Sequence, residues 1–187
     1  MNKCDALIIA GSAGSLDVLL KVLPRLRADL SFPVIIVIHR KNGVDSLLPE
    51  LLSGRTDLQV KEIEEKEVIS AGTIYVAPSD YHTLIEQDHT FSLDYSEKIN
   101  YSRPAIDATF ETAAEVYGDK LVCLLLSGSN ADGVEGLRQV KAWNGLAVVQ
   151  DPATAQMAYM PEQAVQQVEI DYVLRIEDMA NFINLLS

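Results

Sequence analysis

Only two cysteines occur in this chain, Cys4 and Cys123, and only three histidines, His39, His82 and His89. The cysteines have no metal-ligand spacing and imply no disulfide; Cys123 lies inside an apolar run and reads as a small core residue. Three scattered histidines make no recognisable metal site, so neither a metal nor a cofactor is expected. Positive charge is scarce as well: 15 Lys and Arg face 27 Asp and Glu, a formal net charge of −12. Such a chain repels phosphate backbones and anionic bilayers, and the cluster His39-Arg40-Lys41 is too short to offset that, so nucleic acid is excluded as a partner. Long apolar runs are missing too. The N-terminal run Ala6–Ala10 is too short for a signal-peptide core or a bilayer span, which excludes membrane insertion and places the chain in a reducing, cytoplasmic setting.

What the chain has is core. Nearly half of its 187 residues are hydrophobic, enough for one well-buried domain and awkward for two, so a single domain over 1–187 is expected. Short, almost continuously apolar runs recur at Ala6–Ala10, Val34–Ile38, Ile74–Ala77, Leu121–Leu126, Leu146–Val149 and Tyr172–Leu174. They lack the in-out alternation of a half-exposed sheet and read as strands buried on both faces. Helical spacing links Ile106, Phe110, Ala113 and Tyr117 after Pro104, then Val134, Leu137 and Val140, then Ile176, Met179, Ala180, Ile183 and Leu186. Asp45 is placed to cap a helix reaching Leu52, with Pro49 early enough to be tolerated. Alternating strand and helix predict an α/β fold: a doubly wound, mainly parallel, Rossmann-like sheet with helices on both faces. In the middle, the charged stretch Lys61–Lys66 reads as a solvated face. His82–Glu86 and Phe91–Leu93, flanking Gln87-Asp88-His89-Thr90, predict an inserted β-hairpin.

Three strand ends carry chemistry. The first run stops at Gly11-Ser12-Ala13-Gly14, the second ends in His39, and Leu121–Leu126 runs into Ser127-Gly128-Ser129-Asn130-Ala131-Asp132-Gly133. In a parallel sheet these residues emerge at one edge, where the sites of such folds gather. A serine hydroxyl needs a base to take its proton, and an imidazole needs a carboxylate on its other nitrogen to fix its tautomer. Ser12, His39 and Asp132 supply these groups as nucleophile, base and orienting acid. Ser12 also precedes a helix, leaving the amides of Ala13 and Gly14 free for an oxyanion. Blander readings compete: the Gly11–Gly14 turn as a phosphate or dinucleotide loop, His39 as structural, Asp132 as a helix cap. Gly11 and Gly14 do not complete G-x-G-x-x-G, and no G-K-[S/T] follows. His82 is placed to border the site, while His89 falls in the solvated hairpin turn.

Six segments in order resemble the catalytic domain of the CheB-type chemotaxis protein-glutamate methylesterases over nearly the whole chain. They are Ile9–Gly14, Ile38-His39, Tyr75–His82, Arg103-Pro104-Ala105-Ile106-Asp107, Leu126–Gly133 and Met160-Pro161-Glu162-Gln163-Ala164. The family's catalytic serine, histidine and aspartate fall on Ser12, His39 and Asp132. The resemblance implies a bacterial, cytoplasmic serine esterase that removes methyl esters from glutamyl residues in the helical region of chemoreceptors. It also implies deamidation of glutamine on the same receptors. The pattern departs from the family at Ala10, Ala13 and Ser15, which replace a glycine, a threonine and a glycine, and at Ile38 and Arg40 around the histidine. Ser129 stands where a methionine commonly serves the oxyanion site through a backbone amide that serine also has. Family members commonly carry an N-terminal receiver domain. Here the first catalytic strand begins by Asp5, and a stand-alone form is expected. Two rival functions follow from the residues alone: a nucleotide- or anion-binding module built on the Gly11–Gly14 turn, and a catalytically silent adaptor that binds receptor without turnover.

Overall fold

The computed structural model describes residues 4–40 and 47–187. The chain runs β1 (Ala6–Gly11), α1 (Ser15–Val22), β2 (Val34–Ile38), α2 (Leu48–Ser53), β3 (Gln59–Glu62), β4 (Thr73–Val76), β5 (His82–Ile85), β6 (Phe91–Asp94) and α3 (Ile106–Tyr117). It continues through β7 (Leu121–Leu125), α4 (Val134–Ala142), β8 (Leu146–Gln150), α5 (Tyr159–Gln167), β9 (Tyr172–Leu174) and α6 (Ile176–Asn184). Seven strands form one sheet in the order β3-β4-β2-β1-β7-β8-β9, with every neighbouring pair parallel. No helix among the described residues is long and apolar enough to cross a membrane.

The apolar runs are continuous because both sheet faces are covered. Leu7 and Ile9 of β1 join the core that holds Val18, Leu19 and Val22 of α1 and Met179 and Ile183 of α6. Ile8 and Ala10 point the other way, into a core with Ile106 and Phe110 of α3, Leu137 of α4 and Met160 of α5. The expected hairpin, β5 with β6, pairs antiparallel and adds Ile85 and Phe91 to that second core. Both cysteines are buried, and burial pushes the Cys4 thiol up to about 12, so it stays protonated.

The order of strands reverses at β1, whose neighbours are β2 and β7. Helices α1 and α2 pack on one face and α4 on the other, so the chain diverges beyond the carboxyl ends of β1 and β7. That is where ligand sites form in open α/β sheets.

Several readings of the sequence need correction. The sequence alone does not show strand β3: the charged stretch Lys61–Lys66 is mostly exposed, as expected, but it begins inside this edge strand, whose residues carry charge where a central strand would carry valine. Helix α5 escaped notice because only Met160, Pro161 and Ala164 are buried on it, too thin an apolar stripe to stand out. Strand β1 extends through Gly11, β4 runs Thr73–Val76, β7 stops at Leu125 and β8 continues to Gln150. The proposed cap Asp45 lies outside the described residues, although α2 does reach past Leu52 with Pro49 in its first turn.

Helices α3 and α4 approach closely where α4 carries Gly136. A Cβ there would come within 2.7 Å of the Phe110 Cβ and 3.1 Å of the Asp107 Cα. Alanine ordinarily gains about 1 kcal/mol over glycine in a helix, but the forced separation outweighs that gain. Gly136→Ala is therefore expected to destabilise the fold by about 1–3 kcal/mol in urea unfolding. A variant as stable as the parent would contradict this packing.

Candidate active site

Strand β1 delivers Ser12 into a tight turn ahead of α1. The Ser12 amide donates to the Ser127 carbonyl at 2.9 Å, and the Ser15 amide donates back to the Ser12 carbonyl at 3.1 Å. Gly14 adopts φ +87°, a left-handed conformation, and a Cβ there would lie 2.7 Å from the Ser127 Oγ. Glycine is required on both counts. Ser127 joins the loops at this edge: its buried hydroxyl donates to the Ala13 carbonyl at 2.7 Å and accepts from the Met157 amide at 2.9 Å. Its own amide donates to Gln150 Oε1 at 2.9 Å. The amides of Ala13, Gly14 and Ser129 donate to no described residue.

Strand β2 delivers His39, whose amide donates to the Gly11 carbonyl at 3.1 Å and so ties the ends of β1 and β2 together. Its Nε2 lies 2.7 Å from Asp132 Oδ2; the Asp132 side chain is fully buried and that of His39 is 11% exposed. Since a carboxylate accepts, neutral His39 carries its proton on Nε2 and presents Nδ1 as the basic atom. Ser102 Oγ lies 3.4 Å from Nδ1. Ser12 and His39 line the same two depressions, but no hydrogen bond joins their side chains. Catalytic hydrogen bonds are often open until substrate binds.

Asp132 also acts as a helix cap, though not of the helix that follows it. Helix α3 has no capping side chain of its own; Asp132 accepts from its first amides, Ile106 N at 2.7 Å and Asp107 N at 3.0 Å. Asp107 returns the service to α4, accepting from Gly133 N at 2.9 Å and Gly136 N at 2.7 Å. The Asn100 amide nitrogen spans the pair, 2.8 Å from Asp107 Oδ2 and 3.2 Å from Asp132 Oδ1. Burial drives the Asp132 carboxyl upward, but the His39 bond and the amides of Ile106 and Asp107 outweigh it and hold it below the usual carboxylate range. Asp107 goes the other way: burial, with the charge of Asp132 acting in the same sense, raises it to about 6.

The larger depression, about 510 Å³, is polar and lined by Ser12, His39, Arg40, Lys98, Tyr101 and Ser102 among others. The smaller, about 230 Å³, is walled by Ala13, Leu16, Ile38 and Leu48. At the lip stands Tyr101, 98% exposed, in a turn where both it and Asn100 have positive φ and where Ile99 and Ser102 exchange backbone hydrogen bonds. Arg40 is not part of a free basic cluster: it bonds the Ala77 carbonyl at 2.6 Å and Glu62 at 3.0 Å.

His82 does not border the site. It is buried, its Nδ1 accepts from the Ala105 amide at 3.1 Å, and its Nε2 donates to the Glu97 carbonyl at 2.9 Å. It anchors the segment that carries Asn100 and Ser102 from below. His89 is exposed in the hairpin turn, as expected. The sequence alone does not single out Asn100, Ser102 or Asp107 as site residues. Asn100 and Ser102 sit in an aperiodic turn with no signature. Asp107 lies within a motif already singled out, and its place in the first turn of a helix was the available signal.

Comparison with known proteins bears on this geometry. Residues 7–183 match the family described as CheB methylesterase. A Leptospira interrogans protein, provisionally named a protein-glutamate methylesterase/protein-glutamine glutaminase, is 46% identical over 182 residues, covering 97% of this chain and 94% of that one. A Thermotoga maritima protein-glutamate methylesterase/protein-glutamine glutaminase is 34% identical over 170 residues, covering 89% of this chain and 49% of its own length. The crystal structure of the Thermotoga maritima CheB methylesterase catalytic domain superposes with a TM-score of 0.94 at 31% identity, covering 99% of this chain and all of that one.

If Asp132 caps α3, removing its carboxylate costs stability apart from any chemistry. Asp132→Ala is expected to lose about 1–3 kcal/mol at pH 7, because two helix-end amides lose their acceptor. A group whose folded pKa is depressed stabilises above its unfolded value and ceases to do so as pH falls through the folded one. The gap between parent and variant should therefore shrink as acid titrates Asp132. Equal stabilities at pH 7 in urea melts would contradict the capping role.

Proposed function

This chain belongs to the CheB methylesterase family, and from that premise we propose that Ser12, His39 and Asp132 are its catalytic residues in hydrolysing glutamyl methyl esters of chemoreceptor-like proteins. Residues 1–187 are read as one catalytic domain working in the cytoplasm on the receptor's helical region. The observation that carries the assignment is the 2.7 Å His39–Asp132 contact beside two depressions that Ser12 and His39 share.

The steps follow from the placement of the groups. Ser12 Oγ attacks the ester carbonyl while His39 Nδ1 takes its proton, and buried Asp132 stabilises the imidazolium through Nε2. The tetrahedral oxyanion is met by the free amides of Ala13 and Ser129, with the α1 N-terminus favouring negative charge. The imidazolium then protonates the departing methoxide, methanol leaves, and Ser12 holds the glutamyl group as an ester. Water, deprotonated by Nδ1, attacks that acyl-enzyme and releases Ser12 and a glutamate carboxylate. A glutamine amide passes through the same intermediate with ammonia as leaving group, so deamidation belongs to the same proposal. The ester is neutral and its product anionic, and a chain of net charge −12 does not retain that product.

A phosphate-binding turn fits less well, because Leu16, Ile38 and Leu48 share the depression beside Gly14 with His39 and with an Arg40 already engaged by Glu62 and the Ala77 carbonyl. One observation favours a different nucleophile: Ser102 Oγ stands 3.4 Å from Nδ1, whereas no hydrogen bond joins the Ser12 and His39 side chains. Yet the Ser102 amide is already bonded to the Ile99 carbonyl, whereas Ser12 adjoins two free amides. Methanol release from methylated receptor decides. Ser12→Ala should fold normally and lose activity by ~10³-fold or more, and Ser102→Ala should still form an acyl-enzyme. Retention of more than about a tenth of the rate in Ser12→Ala, an energy of only one tenfold step, would remove Ser12 from the mechanism. A dead Ser102→Ala beside it would put Ser102 there instead.

A further inference from the structure

Asp107 is a half-buried carboxylate at this edge that the mechanism does not use. A helix end is capped as well by serine, threonine or asparagine as by aspartate. A charged cap placed beside another buried carboxylate carries an electrostatic cost that a neutral one avoids. Burial and the charge of Asp132 act in that sense here and raise Asp107 to about 6. Its Oδ1 also holds the amide of Gly133, the residue immediately after Asp132, and Asn100 ties its Oδ2 to Asp132 Oδ1. Both the backbone and the carboxylate of Asp132 are thus located by groups that Asp107 or its tether controls.

From this geometry we propose that Asp107 is a positioning residue of the active site: tethered through Asn100, it fixes Asp132 and sets a second negative charge behind the His39–Asp132 pair. The proposal rests on the catalytic reading of that pair. The imidazolium formed at His39 is then stabilised by two carboxylates, one in contact and one behind it. The titratable groups facing Asp107 are Asp132 and, through it, His39. Glu135 on α4 turns outward to pair with Arg138, and His82 on β5 is engaged by Ala105 and Glu97. As pH falls through about 6, Asp107 takes up a proton and the second charge disappears.

The test has a readout that needs no turnover. The His39 imidazole resonances of the intact chain, followed by NMR from pH 5 to 8, should show an inflection near 6 from Asp107 in addition to the ring's own protonation. Asp107→Asn should abolish that inflection and lower kcat roughly tenfold, the scale of one hydrogen bond to a charged group, with KM unchanged. Asn100→Gly tolerates the positive φ of that position and leaves both caps in place. It removes a bond that lowers the Asp107 pKa, so the inflection should move to higher pH, and it keeps the test alive should Asp107→Asn fail to fold. Identical His39 titrations in the parent and in either folded variant would overturn the proposal. So would an unchanged kcat in Asp107→Asn despite a lost inflection. A parent chain that releases no methanol from methylated receptor would refute the esterase reading, while the titrations would still decide whether Asp107 is coupled to His39.

Discussion

Two carboxylates exchange helices at the centre of this protein. Asp132, at the foot of α4, caps α3, and Asp107, in the first turn of α3, caps α4. Neither helix has a capping side chain of its own, so each start depends on the other. Gly136 lets the helices come close enough for the exchange. Since α3 and α4 together cover one face of the sheet over β1 and β7, the lock also fixes what stands at the edge of those strands.

The site inherits its geometry from that lock. A carboxylate holding two backbone amides cannot swing, so the oxygen it offers His39 is fixed before any substrate arrives. His39 is fixed from its other end by β2, through the bond of its amide to Gly11. Preorganisation of this kind lowers the reorganisation needed as charge develops. It also sets a chemical detail: with Nε2 spent on Asp132, Nδ1 is the nitrogen left to face the pocket. Catalytic histidines of the serine-protease type use the two nitrogens the opposite way round. On the other side of the pocket, Ser127 binds the β1 turn to the loop around Met157 and so shapes the turn that presents Ser12.

The parts of this arrangement that were legible in the sequence are those set by position along a strand. A parallel sheet buried on both faces writes itself as uninterrupted apolar runs, and where β1, β2 and β7 end, Ser12, His39 and Asp132 must emerge together. The segment order resembling the CheB family adds to that reading. What was not legible depends on contacts far apart in sequence or on surfaces without periodicity. Strand β3 is an exposed edge, and α5 buries a narrow stripe. Asp132 looked like a cap for the helix after it, because nothing local shows that α3, beginning 26 residues earlier, lacks one. Asn100 and Ser102 act from a turn whose conformation, not its composition, places them.

The central claim is that Asp132, held by helix ends, takes Nε2 of His39 and leaves Nδ1 as the base. A long-range ¹H–¹⁵N correlation spectrum of the imidazole at a pH where His39 is neutral tests it most directly. The account predicts a proton on Nε2, shifted far downfield by the Asp132 carboxylate and returned upfield in Asp132→Ala. A neutral ring carrying its proton on Nδ1, with Nε2 bare, would contradict it.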